Sequence, residues 1–233
     1  MIAAGAGGVV GAGWLFERFP VFVEEMRLSG DVPEPHPLEA EQVAQAVRKR
    51  RIEFAVGRHC AHRALARLDM PDFILRNGSD RAPCWPAGVV GAITHTGRGD
   101  GAGDRGYCGV VVARRADLVT VGLDAEEATP LSRALWPHVL TSVEQRSLPD
   151  DAVVGGLRAK VIFSAKECFY KAQYALSRRF LRFHDVAVTV HAESQTFDAE
   201  LTEAAPPGLP LARCRGRFLV GEEFLATGIA LGA

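Results

Sequence analysis

The chain has little of what would mark a specialised environment. Its 233 residues include five cysteines, Cys60, Cys84, Cys108, Cys168 and Cys214, an odd number at wide spacing with no Cys-x-x-Cys. That pattern excludes a disulfide framework and predicts reduced thiols in a cytoplasmic protein. An excess of one charge is missing too: 27 Lys and Arg against 28 Asp and Glu leave a net charge of -1, so no global field draws the chain to nucleic acid or to a membrane surface. The uncharged stretch Met1 to Phe16 is short for a membrane span and lacks the basic start of a signal peptide, so neither anchor nor leader is expected. Its glycines do not make a dinucleotide fingerprint, because Val10 stands where the third glycine belongs and no strand precedes it.

What is present suits an ordinary soluble core: 48% hydrophobic residues and 24% charged, in a length that allows one large domain or two small ones. Helical spacing of apolar residues predicts a long helix over 39–68, ended by Asp69-Met70-Pro71. A turn-rich stretch follows over 76–88. A strand is predicted over 89–95, a Gly/Asp loop over 97–105, and two strands over 107–113 and 118–125 joined as a hairpin. Helices are predicted over 132–140, from a capping acid at Glu144, and over 160–176. Alternating strands then fall at 186–190, 196–199, 217–220 and 224–230. This order of elements predicts an α+β protein of two halves joined near Gly122.

The chemistry concentrates in two segments. In Val121-Gly122-Leu123-Asp124-Ala125-Glu126, Asp124 and Glu126 point to the same side of a strand. In Phe163-Ser164-Ala165-Lys166-Glu167-Cys168-Phe169-Tyr170-Lys171, Glu167 and Lys171 share a helix face, with Phe163, Lys166 and Tyr170 on or beside it. Three carboxylates suit one hard cation, Mg²⁺ or Mn²⁺, and Lys166 and Lys171 suit phosphate. The plainer alternatives are a solvated strand end for the acids and a helix-start capping box for Ser164 and Glu167. The basic run Arg48 to Arg51 is broken by Ile52 and Phe54; a guanidinium at such a half-buried edge matches phosphate oxygens. His95 ends a strand and is either structural or a phosphate or adenine contact. His59, Cys60 and His62 do not share one helix face, which argues against zinc there.

Taken together and in order, these segments resemble the 4′-phosphopantetheinyl transferases of siderophore, polyketide and nonribosomal peptide synthesis. Four blocks carry the resemblance: Arg51-Ile52-Glu53-Phe54-Ala55-Val56-Gly57-Arg58-His59-Cys60-Ala61, the stretch from Pro83 to His95, the acidic segment 121–126 and the segment 163–171. Ala92 departs from the serine that the family often has before this histidine, and residues 1–40 and 195–233 add little. The resemblance implies a pseudo-twofold repeat of two similar α/β halves, 1–122 and 123–233, with the site in the cleft between them. It implies Asp124, Glu126 and Glu167 as Mg²⁺ ligands, and Arg50, Arg58, His95 and Arg81 around the nucleotide end of coenzyme A. Lys166 and Lys171 would contact phosphates, and Glu167 would be the candidate base. The implied reaction moves 4′-phosphopantetheine from coenzyme A to a serine of an apo acyl or peptidyl carrier protein, as a holo-[carrier-protein] synthase does. The implied enzyme is a cytoplasmic monomer, binding neither nucleic acid nor membrane. Ser177 to Phe183 interleaves cations with apolar groups, as a surface for an acidic carrier would, or as an ordinary helix end would. A metal-dependent phosphodiesterase and a catalytically silent coenzyme A or carrier-binding module remain the competing readings.

Overall fold

Side-chain alternation sorts the strands of this chain into layers. The computed structural model describes residues 11–28, 32–98 and 105–232. Strands β1 (Val21–Arg27), β2 (Val89–Arg98) and β3 (Arg105–Arg114) form an antiparallel sheet in the order β1-β3-β2. Along β3, Cys108, Val110 and Val112 pack against helix α2 (Arg48–Ala66), while Tyr107, Val111 and Ala113 face the other way, into a central core. The second sheet runs β4-β8-β7-β6-β5, from β4 (Leu118–Glu127), β5 (Val186–His191), β6 (Thr196–Leu201), β7 (Arg213–Val220) and β8 (Phe224–Gly232). On β4, Val121, Leu123 and Ala125 enter the central core. The opposite face of this sheet is covered by Ala159, Ile162, Ala165, Phe169 and Ala172 of the long helix α5 (Ala152–Ser177). The stacking is therefore helix, sheet, sheet, helix, and the fold is α+β. A 3₁₀ turn, Ala12–Phe16, seals the central core. Three short helices, α1 (Pro37–Ala40), α3 (Trp136–Val139) and α4 (Ser142–Ser147), complete the elements that position the site. No helix of the described residues is long and apolar enough to cross a membrane.

Three expectations need correction. The hairpin between 107–113 and 118–125 does not form. The turn is there, closed by Asp117 N–H on the Arg114 carbonyl at 3.0 Å, but both edges of β3 are taken by β1 and β2, so β4 crosses to β8 from Leu118 onward. The helix expected over 39–68 breaks between Val43 and Arg48. The bend lets Glu39 turn inward to accept from Leu75 N–H (2.7 Å) and lets Gln42 grip Asn77. The expected helix 160–176 starts a little over two turns earlier, capped by Asp151. Ser164 is thus mid-helix and caps nothing. Of the Gly/Asp loop, residues 99–104 lie outside the described residues, as do residues 1–10.

Candidate active site

Strand parity decides where the acids go. Gly122, Asp124 and Glu126 share the side of β4 that faces α5, because Val121, Leu123 and Ala125 are claimed by the core. The approach is close at Gly122, where a Cβ would lie 2.3 Å from the Cys168 carbonyl oxygen. Thr120 adds a hydroxyl hydrogen bond to the Ala172 carbonyl at 2.9 Å. Strand and helix are thereby fixed to each other within one turn of both acidic segments.

Asp124 is buried, at 4% exposure, and accepts hydrogen bonds on both of its oxygens. Lys171 Nζ donates to its Oδ1 at 2.7 Å and to the Leu123 carbonyl at 3.0 Å; Ser164 Oγ donates to Oδ2 at 2.8 Å. Thr94 of β2 accepts from Ala125 N–H at 3.0 Å and points its hydroxyl at Asp124. Around this carboxylate the other charges shift. Burial, reinforced by Asp124, pushes the Glu126 carboxyl up to about 7, against the pull of Lys160 and Lys171. Burial and Asp124 raise Glu167 as well, partly offset by Lys171. Burial opposes the charge on Lys171, but Asp124 and Glu167 outweigh it and raise its pKa.

Among the described residues, no three His, Cys, Asp or Glu side chains are gathered around one point as ready-made metal ligands. The chemistry of the set nevertheless fits a hard divalent cation. Asp124, Glu126 and Glu167 offer oxygen alone, and each glutamate is held above its ordinary range by burial and by the neighbouring negative charge.

The sequence expected Lys166 beside Lys171. The structure separates them: the Lys166 ammonium is buried, and its three protons are used on the Val139 carbonyl (2.9 Å), Glu144 Oε2 (2.8 Å) and the Phe183 carbonyl (2.9 Å). It is a structural cation with no donor left for phosphate. The place beside the acids goes to Lys160, 3.6 Å from Glu126 Oε2 and over the Phe163 ring. Spacing could have found it: Lys160 and Glu167 are seven apart, hence on one face, whereas Lys166 is turned about 100° away.

The N-terminal half brings up its own cations. Arg50 Nη1 lies 3.0 Å from His95 Nε2. A guanidinium only donates, so Nε2 is the acceptor and the ring proton sits on Nδ1, towards Glu53 at 3.6 Å. Burial, helped by Arg50 and Lys171, keeps His95 below the usual histidine range. Arg58 is buried against the Phe54 ring, donates to Asn77 Oδ1 at 2.5 Å, and leaves its Nε without a partner among the described residues. Burial lowers its pKa to about 10, so it stays charged. Arg81 lines a cavity of about 590 Å³ between the 80–93 segment and α5, together with Arg115, Lys171 and Arg178. A second cavity, of about 760 Å³, lies on the other side of Tyr170. It is walled by Phe180, Leu181 and Phe183, with Glu167 at its edge. The basic segment 177–183 is split by its contacts: Arg178 and Arg179 are bonded to Asp80 and to the Pro207 carbonyl, and Phe180 is 70% exposed.

Comparison with known proteins bears on what this cleft is for. Residues 38–113 match a family model described as the 4′-phosphopantetheinyl transferase N-terminal domain, and residues 120–207 match the 4′-phosphopantetheinyl transferase superfamily. The chain is 34% identical to the 4′-phosphopantetheinyl transferase PptT of Mycobacterium tuberculosis, over 84% of this chain and 86% of that protein. It is 39% identical to Svp, a 4′-phosphopantetheinyl transferase of Streptomyces mobaraensis, over 84% of this chain and 78% of that protein. It is 28% identical to enterobactin synthase component D of Escherichia coli, over 67% of this chain and 73% of that protein.

Proposed function

The chain belongs to the 4′-phosphopantetheinyl transferase superfamily, and from that premise we propose how its cleft transfers 4′-phosphopantetheine from coenzyme A to a serine of an apo acyl or peptidyl carrier protein. The observation that carries the reading is the ion pair of Asp124 on β4 with Lys171 on α5, with Glu126 and Glu167 in electrostatic reach of Asp124, flanked by one cationic and one apolar cavity. Coenzyme A is itself divided in this way, into a phosphorylated nucleotide and a largely uncharged arm. The cationic cavity, with Arg81, Arg115, Lys171 and Arg178, suits the phosphates. Arg50, braced by neutral His95, and Arg58 extend that field. The apolar cavity beside Tyr170 suits the arm.

In the reaction the carrier serine oxygen attacks the β-phosphorus of coenzyme A. The bond from that phosphorus to the bridging oxygen breaks, and 3′,5′-ADP leaves. Asp124, Glu126 and Glu167 would hold a Mg²⁺ or Mn²⁺ ion, which when bound offsets the negative charge growing on the phosphoryl oxygens. Lys171 adds an ammonium beside Asp124, and Lys160 another beside Glu126. Glu167 is the candidate acceptor of the serine proton, directly or through a water. Both walls of the site come from one chain, which supports a monomer. Five free cysteines support a cytoplasmic protein. Release of 3′,5′-ADP, followed in the presence of coenzyme A, Mg²⁺ and an apo carrier, tests the reading. Release is expected with the carrier and none with a carrier whose acceptor serine is alanine; carrier-independent release would indicate a phosphodiesterase instead.

A further inference from the structure

The 76–84 loop of the N-terminal half is bound at both ends. At its base, Asn77 is held by Gln42 through two hydrogen bonds, from Asn77 N–H to Gln42 Oε1 (2.9 Å) and from Gln42 Nε2 to the Asn77 carbonyl (3.0 Å). Arg58 donates to the Asn77 side chain, and Cys84 N–H closes on the Arg76 carbonyl at 2.8 Å. At its tip the loop makes a tight turn, with Gly78 N–H on the Ala82 carbonyl at 2.9 Å and Arg81 N–H on the Gly78 carbonyl at 3.0 Å. That turn places Arg81 in the left-handed region, at φ 65°. A Cβ at Gly78 would sit 2.9 Å from Asp80 Oδ1, so a larger residue there would displace the Asp80 carboxylate.

The tip then reaches across to the other half. Asp80 Oδ2 accepts from Tyr174 O–H at 2.9 Å and from Arg178 Nη1 at 3.0 Å, and its Oδ1 accepts from Ala82 N–H at 3.0 Å. Tyr174 continues the face of α5 that carries Glu167, Tyr170 and Lys171, at helical spacing; Arg178, the left-handed cap just past the end of α5, lies over the Tyr174 ring, and the tyrosine rings of 170 and 174 touch at 5.5 Å. The cationic cavity lies between this loop and this face.

We propose that Asp80, Tyr174 and Arg178 are a clasp of positioning residues that closes the 76–84 loop over coenzyme A and holds its nucleotide end in register with the reacting groups on α5. The inference rests on the transferase reading above. Asp80 would by itself weaken an anion site; bonded to Arg178 it is neutralised, and Arg81, Arg115 and Lys171 keep the cavity cationic. Asp80 and Arg178 are partly exposed, at 32% and 58% of their side chains. Such contacts are weak singly, so the clasp opens for exchange of a large ligand and closes again.

The test combines coenzyme A titration calorimetry, without carrier, and steady-state kinetics on Asp80→Ala, Tyr174→Phe and the double variant, with melting curves to confirm folding. Asp80→Ala is expected to raise both Kd and KM for coenzyme A about fivefold, with kcat and carrier KM within about twofold. Tyr174→Phe should move the same constants less, and the double variant should be no worse than Asp80→Ala, because both remove one shared contact. An unchanged coenzyme A Kd in Asp80→Ala, additive losses, or a rise in carrier KM instead overturns the clasp. Failure of the wild-type protein to transfer at all overturns the underlying reading, and it is seen separately, since the calorimetry uses no carrier.

Discussion

Lys166 and Lys171 are five residues apart on one helix and serve different ends, because the helix turns them onto different faces. Lys166 neutralises Glu144 in the interior, and Glu144 in turn holds Val188 N–H at 2.7 Å and Thr141 N–H at 2.6 Å. Lys166→Met strands a buried carboxylate and is expected to destabilise the fold by about 3–5 kcal/mol, read by denaturant unfolding, with the coenzyme A affinity of the folded fraction kept. Unchanged stability with lost coenzyme A binding would return Lys166 to the phosphates. Glu126 makes a prediction about pH. In metal-free protein its carboxyl binds a proton more tightly folded, at about 7, than at its ordinary value of 4.5. The folded state therefore holds the extra proton between these values, and the stability that Glu126 contributes is full below about 4.5, falls as pH rises to about 7, and is level above. Chelator-treated wild type should lose more melting temperature than Glu126→Gln between about pH 5 and about pH 7.5; parallel losses would contradict the shift. That Asp124 and Glu126 share one side of β4 was legible from the strand period. The loss of Lys166 to the interior was not, because its partners lie 17, 22 and 27 residues away in sequence.

At the scale of elements, the contact between β4 and α5 sets the geometry of the acids, and Gly122 is its narrowest point. Gly122→Ala forces the strand and helix apart at the Cys168 carbonyl. It should cost about 1–3 kcal/mol and also lower transfer activity, since it draws Lys171 and Glu167 away from Asp124. A variant of unchanged stability and rate would refute that coupling. Thr141, whose side chain and Glu144 satisfy each other's backbone N–H groups, should cost about 1 kcal/mol on replacement by alanine, measured by denaturant unfolding. This capping box was readable from four residues, as were most strands of the second sheet. Strand β1 was missed because Glu24 and Glu25 break its alternation. Only the fold shows why they are tolerated: Glu24 pairs with Arg63 at 3.0 Å, and Glu25 accepts from Tyr107 O–H at 2.6 Å and Ala12 N–H at 3.0 Å. The β3–β4 hairpin was misread for a related reason, since a local turn says nothing about whether the edge of the first strand is already filled.

Across the whole molecule, each half covers one sheet with one long helix, and the sheets share a core. The N-terminal half carries Arg50, Arg58, Arg81 and His95, and the C-terminal half carries Asp124, Glu126, Lys160, Glu167 and Lys171. Asp124 is the point where the halves meet, bonded within its own half to Ser164 and Lys171 and approached by Thr94 from the other. This junction moves phosphopantetheine onto carrier proteins, and Asp124 is the residue on which the transfer should depend. Its most direct test is intact mass spectrometry of an apo carrier protein incubated with the protein, coenzyme A and Mg²⁺. A gain of one phosphopantetheinyl group is expected with the wild type and none with a folded Asp124→Ala variant. An equal gain with the variant would contradict the assignment of the site, and no gain with the wild type, across acyl and peptidyl carriers, would contradict the function.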